Sequence, residues 1–128
     1  MHNPVTAALM KNISDAELHD FISRWDDLEA LIIQIYRGNE VTPLEKAQFS
    51  KLNKELRVQY SRWREALAPY WNQSRIKDQV GLNDPFSYLL NKSSAVEYIG
   101  DWDAMKHLPA AREALNNFLL SLIEEQTS

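Results

Sequence analysis

The chain has 128 residues, 14 Lys and Arg against 18 Asp and Glu, a formal net charge of −4 and no cysteine. That size is one domain with one ordinary core, read as residues 1–128; the absent thiols exclude disulfides, thiolate metal sites and cysteine nucleophiles. Three glycines and five prolines are too few for an all-β fold of many tight turns, and an acidic total argues against a dedicated nucleic-acid binder unless a local patch overrides it. Met1-His2-Asn3-Pro4 lacks the basic start and apolar run of a signal peptide. The apolar-rich runs near 28–36 and 118–123 fall short of the roughly 20 residues of a membrane span, so a cytoplasmic protein is expected.

Residues 1–13 read as an N-terminal arm. Ser14-Asp15-Ala16-Glu17 has the form of a capping box, in which the hydroxyl takes an orphan backbone N–H and the glutamate reaches back. Leu18, Phe21, Trp25, Leu28, Ile32 and Ile35 follow at alternating spacings of three and four, one face of a helix. Gly38 should stop it in the left-handed conformation.

Thr42-Pro43-Leu44-Glu45 signals a second start: threonine cap, proline in the first turn, glutamate three residues on. The stretch it opens organises the chain. Phe49, Leu52, Leu56, Tyr60, Trp63, Leu67 and Tyr70 repeat about every 3.5 residues, the period of helices packed side by side with a left-handed crossing. A short connection makes the two helices an antiparallel hairpin. Pro69 should end or kink the second helix near Ala68, with a bent extension running towards Gly81.

Periodicity weakens from Leu82 to Leu108. Asn83-Asp84-Pro85 reads as a cap with a first-turn proline, opening a short helix to about Asn91, and Ser94-Ala95-Val96-Glu97 as another capping box. Phe86, Leu89, Leu90, Val96, Tyr98, Ile99, Trp102 and Met105 are expected to cover one end or side of the core. Pro109 is read as opening a last long helix on the stripe Leu108, Ala111, Leu115, Phe118 and Leu122; Glu124–Ser128 should fray. The fold class is therefore all-α: a small helical bundle on a long antiparallel hairpin, with short middle helices and a C-terminal packing helix.

Charge is uneven. The first helix (15–37) holds six acids against Arg24 and Arg37; the second (43–68) nets +3. Lys46, Lys54, Arg57, Arg62, Arg64, Arg75 and Lys77, with Tyr60, Trp63, Tyr70 and Trp71 among them, match the footprint of single-stranded nucleic-acid binding. The competing reading pairs them inside the hairpin: Lys54 with Asp26 or Asp27, Arg57 with Asp20, Arg64 with Asp15 or Glu17. Such pairs orient helices and each contributes about 0–1 kcal/mol. Tyr60, Trp63 and Tyr70 lie on the apolar seam, so they are expected in the core.

His19 lies four residues after Asp15 and His107 four after Asp103, so each pair shares a helix face. No Glu-x-x-His occurs, however, and a di-iron bundle wants two; Asp101 and Asp103 read more simply as caps of a helix near Trp102. No metal or other cofactor is expected. Gly-x-Ser-x-Gly, a phosphate loop and a dinucleotide glycine fingerprint are all missing, and Ser23, Ser50, Ser61, Ser87, Ser93 and Ser94 have no evident His or Asp partner, so no catalytic residue is assigned. Gln59 is read as a seam-edge residue or one that sets register. Leu120 points away from its helix's apolar stripe, and with Ile123 and Trp71 it suggests a partner surface. The reading is a non-enzymatic helical interaction module, a small subunit or adaptor that binds another protein or a second copy of itself; the alternative is a nucleic-acid or anionic-ligand binder on the basic face of residues 46–77.

Overall fold

The computed structural model describes residues 15–73, 76–78, 81 and 84–127. Among the described residues the helices are α1 (Asp15–Arg37), α2 (Pro43–Trp71), α3 (Pro85–Leu90) and α4 (Trp102–Thr127), with a 3₁₀ turn at Ala95–Tyr98 between α3 and α4 and a helical piece at 76–78. No strand occurs among the described residues, and the fold is an all-α bundle. The expected arm 1–13, the Ser14 cap, Arg75 and Asn83 lie outside the described residues.

The cap ahead of α2 forms as expected. Thr42 Oγ1 accepts from Glu45 N at 3.1 Å, and Glu45 Oε1 accepts from Thr42 N at 2.9 Å. The other Glu45 oxygen takes Gln34 Nε2 at 3.0 Å, so one carboxylate closes the cap and ties α2 to the end of α1. Two further pairs link these helices: Arg24 Nε to Glu55 at 2.6 Å and Arg62 to Glu17 at 3.2 Å. In all three pairs the residue numbers add up to 79, the signature of one antiparallel register.

α2 is the hub, packing against α1, α3, α4 and the 3₁₀ turn. Its buried line is Phe49, Asn53, Leu56, Tyr60, Trp63 and Leu67. Leu52, expected on the seam, is only half-buried, and Asn53 takes the deeper place. α4 packs on both α2 and α3; it buries Ala104, Leu108, Ala111, Ala114, Leu115 and Phe118, and Phe118 meets Trp63 and Tyr70 of α2 edge-on. Arg112 joins α4 to α1, holding Glu29 at 2.9 Å and Asp26 at 2.6 Å.

Neither proline marks a helix boundary. Pro69 lies inside α2 and Pro109 inside α4: α2 runs on to Trp71, and α4 begins seven residues before Pro109. Each ring removes one ladder N–H, yet α4 buries Ala104, Leu108, Ala110 and Ala111 around that gap, and tertiary packing of this kind overrides local propensity. α4 extends through Thr127. Gly38 ends α1 without a left-handed φ, its N–H closing a tighter turn on Ile35 O at 3.1 Å; Gly81 and Gly100 take the left-handed conformation instead, with φ +68° and +65°. Of the residues assigned to the end of the core, Val96 and Trp102 are exposed, Trp102 by 65%.

α3 is six residues long and cannot stand alone. Asp84 fastens it, Oδ1 accepting from Phe86 N at 2.9 Å and Ser87 N at 3.3 Å, and Oδ2 from Ser87 Oγ at 2.9 Å and Tyr60 OH at 2.5 Å. Burial, reinforced by Asp84, pushes the Tyr60 phenol far above its usual range, so it stays a neutral donor. Asp84→Ala should cost about 2–4 kcal/mol in urea unfolding, because it removes a cap and orphans a buried hydroxyl. Tyr60→Phe, which leaves the cap intact, should cost about 0.5–1.5 kcal/mol. Equal losses would show that the cap contributes nothing.

Candidate functional site: a basic groove beside the central helix

Position 53 being polar and buried has a consequence for the surface above it. Asn53 Nδ2 donates to Leu90 O at 2.9 Å, and Arg57 Nε donates to the same carbonyl at 2.7 Å. Leu90 ends α3, where carbonyls lack helical partners and attract cations. Arg57 also reaches Lys92 O at 3.5 Å. The strand of chain after α3 is thus pinned to α2 by its backbone, and a groove of about 530 Å³ opens between them.

One wall is α2: Lys46, Ser50, Asn53 and Arg57 at spacings of four, three and four, with Lys54 and Val58 on the next row. The other is Ser93, Ser94 and Ala95, and Phe49 forms part of the floor. Among the described residues no carboxylate lines it. The side chains of Lys46 and Lys54 form no ion pair or hydrogen bond with any described residue. Across the groove, Glu97 folds back onto Ser93 N at 2.7 Å, Ser94 N at 2.9 Å and Ser93 Oγ at 2.9 Å. Those hydrogen bonds hold its carboxyl below the usual carboxylate range.

The seven cations singled out in the sequence are therefore divided. Lys46, Lys54 and Arg57 share this groove. Arg62 pairs with Glu17, Arg64 approaches Asp84 at 3.9 Å, Lys77 lies half-buried after α2, and Arg75 lies outside the described residues. Three expected hairpin pairings are corrected. Lys54 lines the groove and forms no ion pair with Asp26 or Asp27, and Asp26 is held by Arg112. Arg57 leaves Asp20 for the end of α3, and Arg64 goes to Asp84. The aromatic residues lie elsewhere: Tyr60 and Trp63 are buried, Tyr70 and Trp71 are half-buried against the core. Trp71 is thus a weaker surface residue than expected, whereas Leu120 and Ile123 are more than half exposed.

On the far side of Lys54 a shallower depression is lined by Arg24, Lys51, Glu55, Val58 and Gln59. Gln59 sits at the seam edge, its Oε1 buried without a partner.

A second polar cluster joins α3 to α4. Lys92 Nζ meets Asp101 Oδ2 at 3.1 Å and Tyr88 OH at 3.4 Å, and lies 4.5 Å from the Tyr88 ring centroid. Tyr88 stacks on His107 at 3.9 Å and 9°, and donates to Asp101 at 3.2 Å. His107 Nδ1 lies 2.7 Å from Asp103 O; its Nε2 is buried without a partner. So His107 faces a ring and a backbone carbonyl, not the Asp103 carboxylate, and His19 is exposed. Asp101 caps α4 as expected, accepting from Asp103 N and Ala104 N at 3.1 and 3.2 Å, while Asp103 lies in the first turn. No group of three or more His, Asp or Glu suited to a metal occurs among the described residues. Tyr88, Lys92 and Asp101 bond to one another and His107 stacks on Tyr88, and none of the four lines a groove described above, so the cluster ties α3 to α4. The sequence reading missed Tyr88 and Lys92; their spacing of four on one face was the available signal.

No family model, curated protein or solved structure matches this chain.

Burial alone would raise the Asp101 carboxyl, but bonds from Lys92, Ala104 N and Tyr88 outweigh it and hold it below the usual range. A depressed carboxyl stabilises the fold above its unfolded-state value, and that contribution is lost as pH falls through the folded one. Asp101→Asn should therefore cost about 1–2 kcal/mol at pH 7, with the gap to the parent chain shrinking below about pH 4. Chemical denaturation across pH checks this; a gap independent of pH would contradict it.

Proposed function

We propose that this chain is a non-enzymatic interaction module, a small subunit or adaptor that binds another protein through its helical surface in the cytoplasm. The observation that carries the reading is the α2 groove. Its lining combines the exposed Val58 and the edges of the buried Phe49 and Ala95 with polar and cationic groups, and includes no pair of titratable side chains placed to exchange a proton. Such a site supports binding and offers little for chemistry. Val58 is 63% exposed at its rim, the kind of apolar position a partner covers.

The nucleic-acid reading has one observation in its favour, the convergence of Lys46, Lys54 and Arg57. It is the weaker of the two, because the rings expected to stack bases lie in or against the core and two of the arginines are engaged by carboxylates.

Affinity purification of the tagged chain, with quantitative mass spectrometry, tests the proposal. Val58→Asp should reduce recovery of a stoichiometric partner by about tenfold or more, while Leu120→Asp should leave it intact. If Leu120→Asp removes the partner and Val58→Asp does not, the binding surface is the end of α4 and the groove assignment fails.

A further inference from the structure

We infer that the groove between α2 and the 3₁₀ turn takes a short acidic peptide segment of the partner, anchored by an apolar side chain; this rests on the interaction-module reading.

Charge complementarity is the first argument. The chain nets −4, yet among the described residues this groove holds Lys46, Lys54 and Arg57 and no acid. The two lysines lack carboxylate partners among the described residues, so nothing within the described fold neutralises them. Arg57 is held in place by Leu90 O, so little side-chain freedom remains to be lost on binding. A partner's carboxylates supply the missing charge.

The groove's chemistry also separates this occupant from other anions. A phosphate site draws on free backbone N–H groups, but Ser93 N and Ser94 N are already donated to Glu97. A single-stranded nucleic acid needs exposed ring faces, and Phe49 is 5% exposed with its ring edge-to-face against Tyr98 at 5.5 Å. What remains available is apolar surface beside ammonium groups, which suits a glutamate- or aspartate-bearing segment with a leucine-like anchor. Lys46 and Arg57 lie about 16 Å apart along α2, the span of about five extended residues. A short segment fits that length.

Fluorescence anisotropy on the full chain provides the test. The probes are a fluorescein-labelled peptide of about ten residues bearing leucines flanked by glutamates, its glutamine counterpart, its lysine counterpart, and an oligothymidylate of about ten nucleotides. The acidic peptide should bind at least about tenfold more tightly than the glutamine peptide, with affinity falling as salt rises. The double variant Lys46→Glu/Lys54→Glu should lose about tenfold or more for the acidic peptide and gain binding of the lysine peptide. Both positions are exposed, and an unchanged melting curve confirms the fold. Equal binding of the acidic and glutamine peptides, full binding by the double variant, or tighter binding of the oligothymidylate would overturn the inference. So would self-association by light scattering that the double variant abolishes, since the occupant would then be a second copy. If the acidic peptide fails while Val58→Asp still removes a partner, the module stands and its acidic occupant falls.

Discussion

Trp63 is where the three long helices meet, and the bundle depends on that junction. Its ring stacks on Phe21 of α1 at 6.0 Å and meets Phe118 of α4 edge-on at 5.6 Å. Phe21 leads on to Trp25 at 6.3 Å, Trp25 to Phe86 at 5.0 Å, and Phe86 to Tyr60 at 5.1 Å. The chain of rings thus returns to α2 through α3. Aromatic rings bury large areas and prefer these offset and edge-on contacts, so helix positions are set by ring geometry as well as by apolar area. α2 contributes Tyr60 and Trp63 one turn apart, and each receives a different neighbour.

Polar groups then fix what the rings leave undetermined. Asp84 and Leu90 O, one at each end of α3, both bond to side chains of α2. Glu45 and Arg24 set the register of α1 on α2; Arg112 sets α4 on α1. Each of these is worth little in water, but the partly buried ones would be costly to leave unsatisfied, which selects one arrangement among several of similar apolar burial. The groove is a by-product of this fastening. Once Asn53 and Arg57 draw the end of α3 onto α2, the 3₁₀ turn stands beside α2 and Lys46 and Lys54 are left facing open space.

Much of the architecture was visible in the sequence because local rules govern it. The Thr42 and Asp84 caps, the Phe21–Ile35 stripe and the Tyr60–Trp63–Leu67 seam are short-range patterns with one good solution. The failures have a common cause in tertiary context. Pro109 was read as a boundary and Pro69 as an end or a kink, since a missing N–H is a local cost, but α4 continues across Pro109 because burial of the neighbouring turns outweighs it. Leu52 was read as the seam residue, but the polar Asn53 beside it is the one buried, and the carbonyl of Leu90, 37 residues away, is the partner that makes its burial tolerable. The candidate site was legible as a set of cations but not as a place. Charge type is written in the sequence, whereas which cations meet carboxylates depends on Asp84 and Arg112, residues on other helices. Trp102 misled for the same reason: nothing local distinguishes an exposed tryptophan in a helix's first turn from a buried one.

The ring junction also bears on the order in which the chain matures. Phe21 and Trp63 come from neighbouring helices, but Phe118 lies near the far end of the chain, and Arg112 reaches acids 83 and 86 residues away. Closing so long a loop is entropically slow. During synthesis the α1–α2 pair emerges first, and one face of Trp63 stays uncovered until α4 has left the ribosome. For that interval the nascent chain carries a sticky aromatic surface, and folding helpers or premature self-contact compete with its own last helix for it.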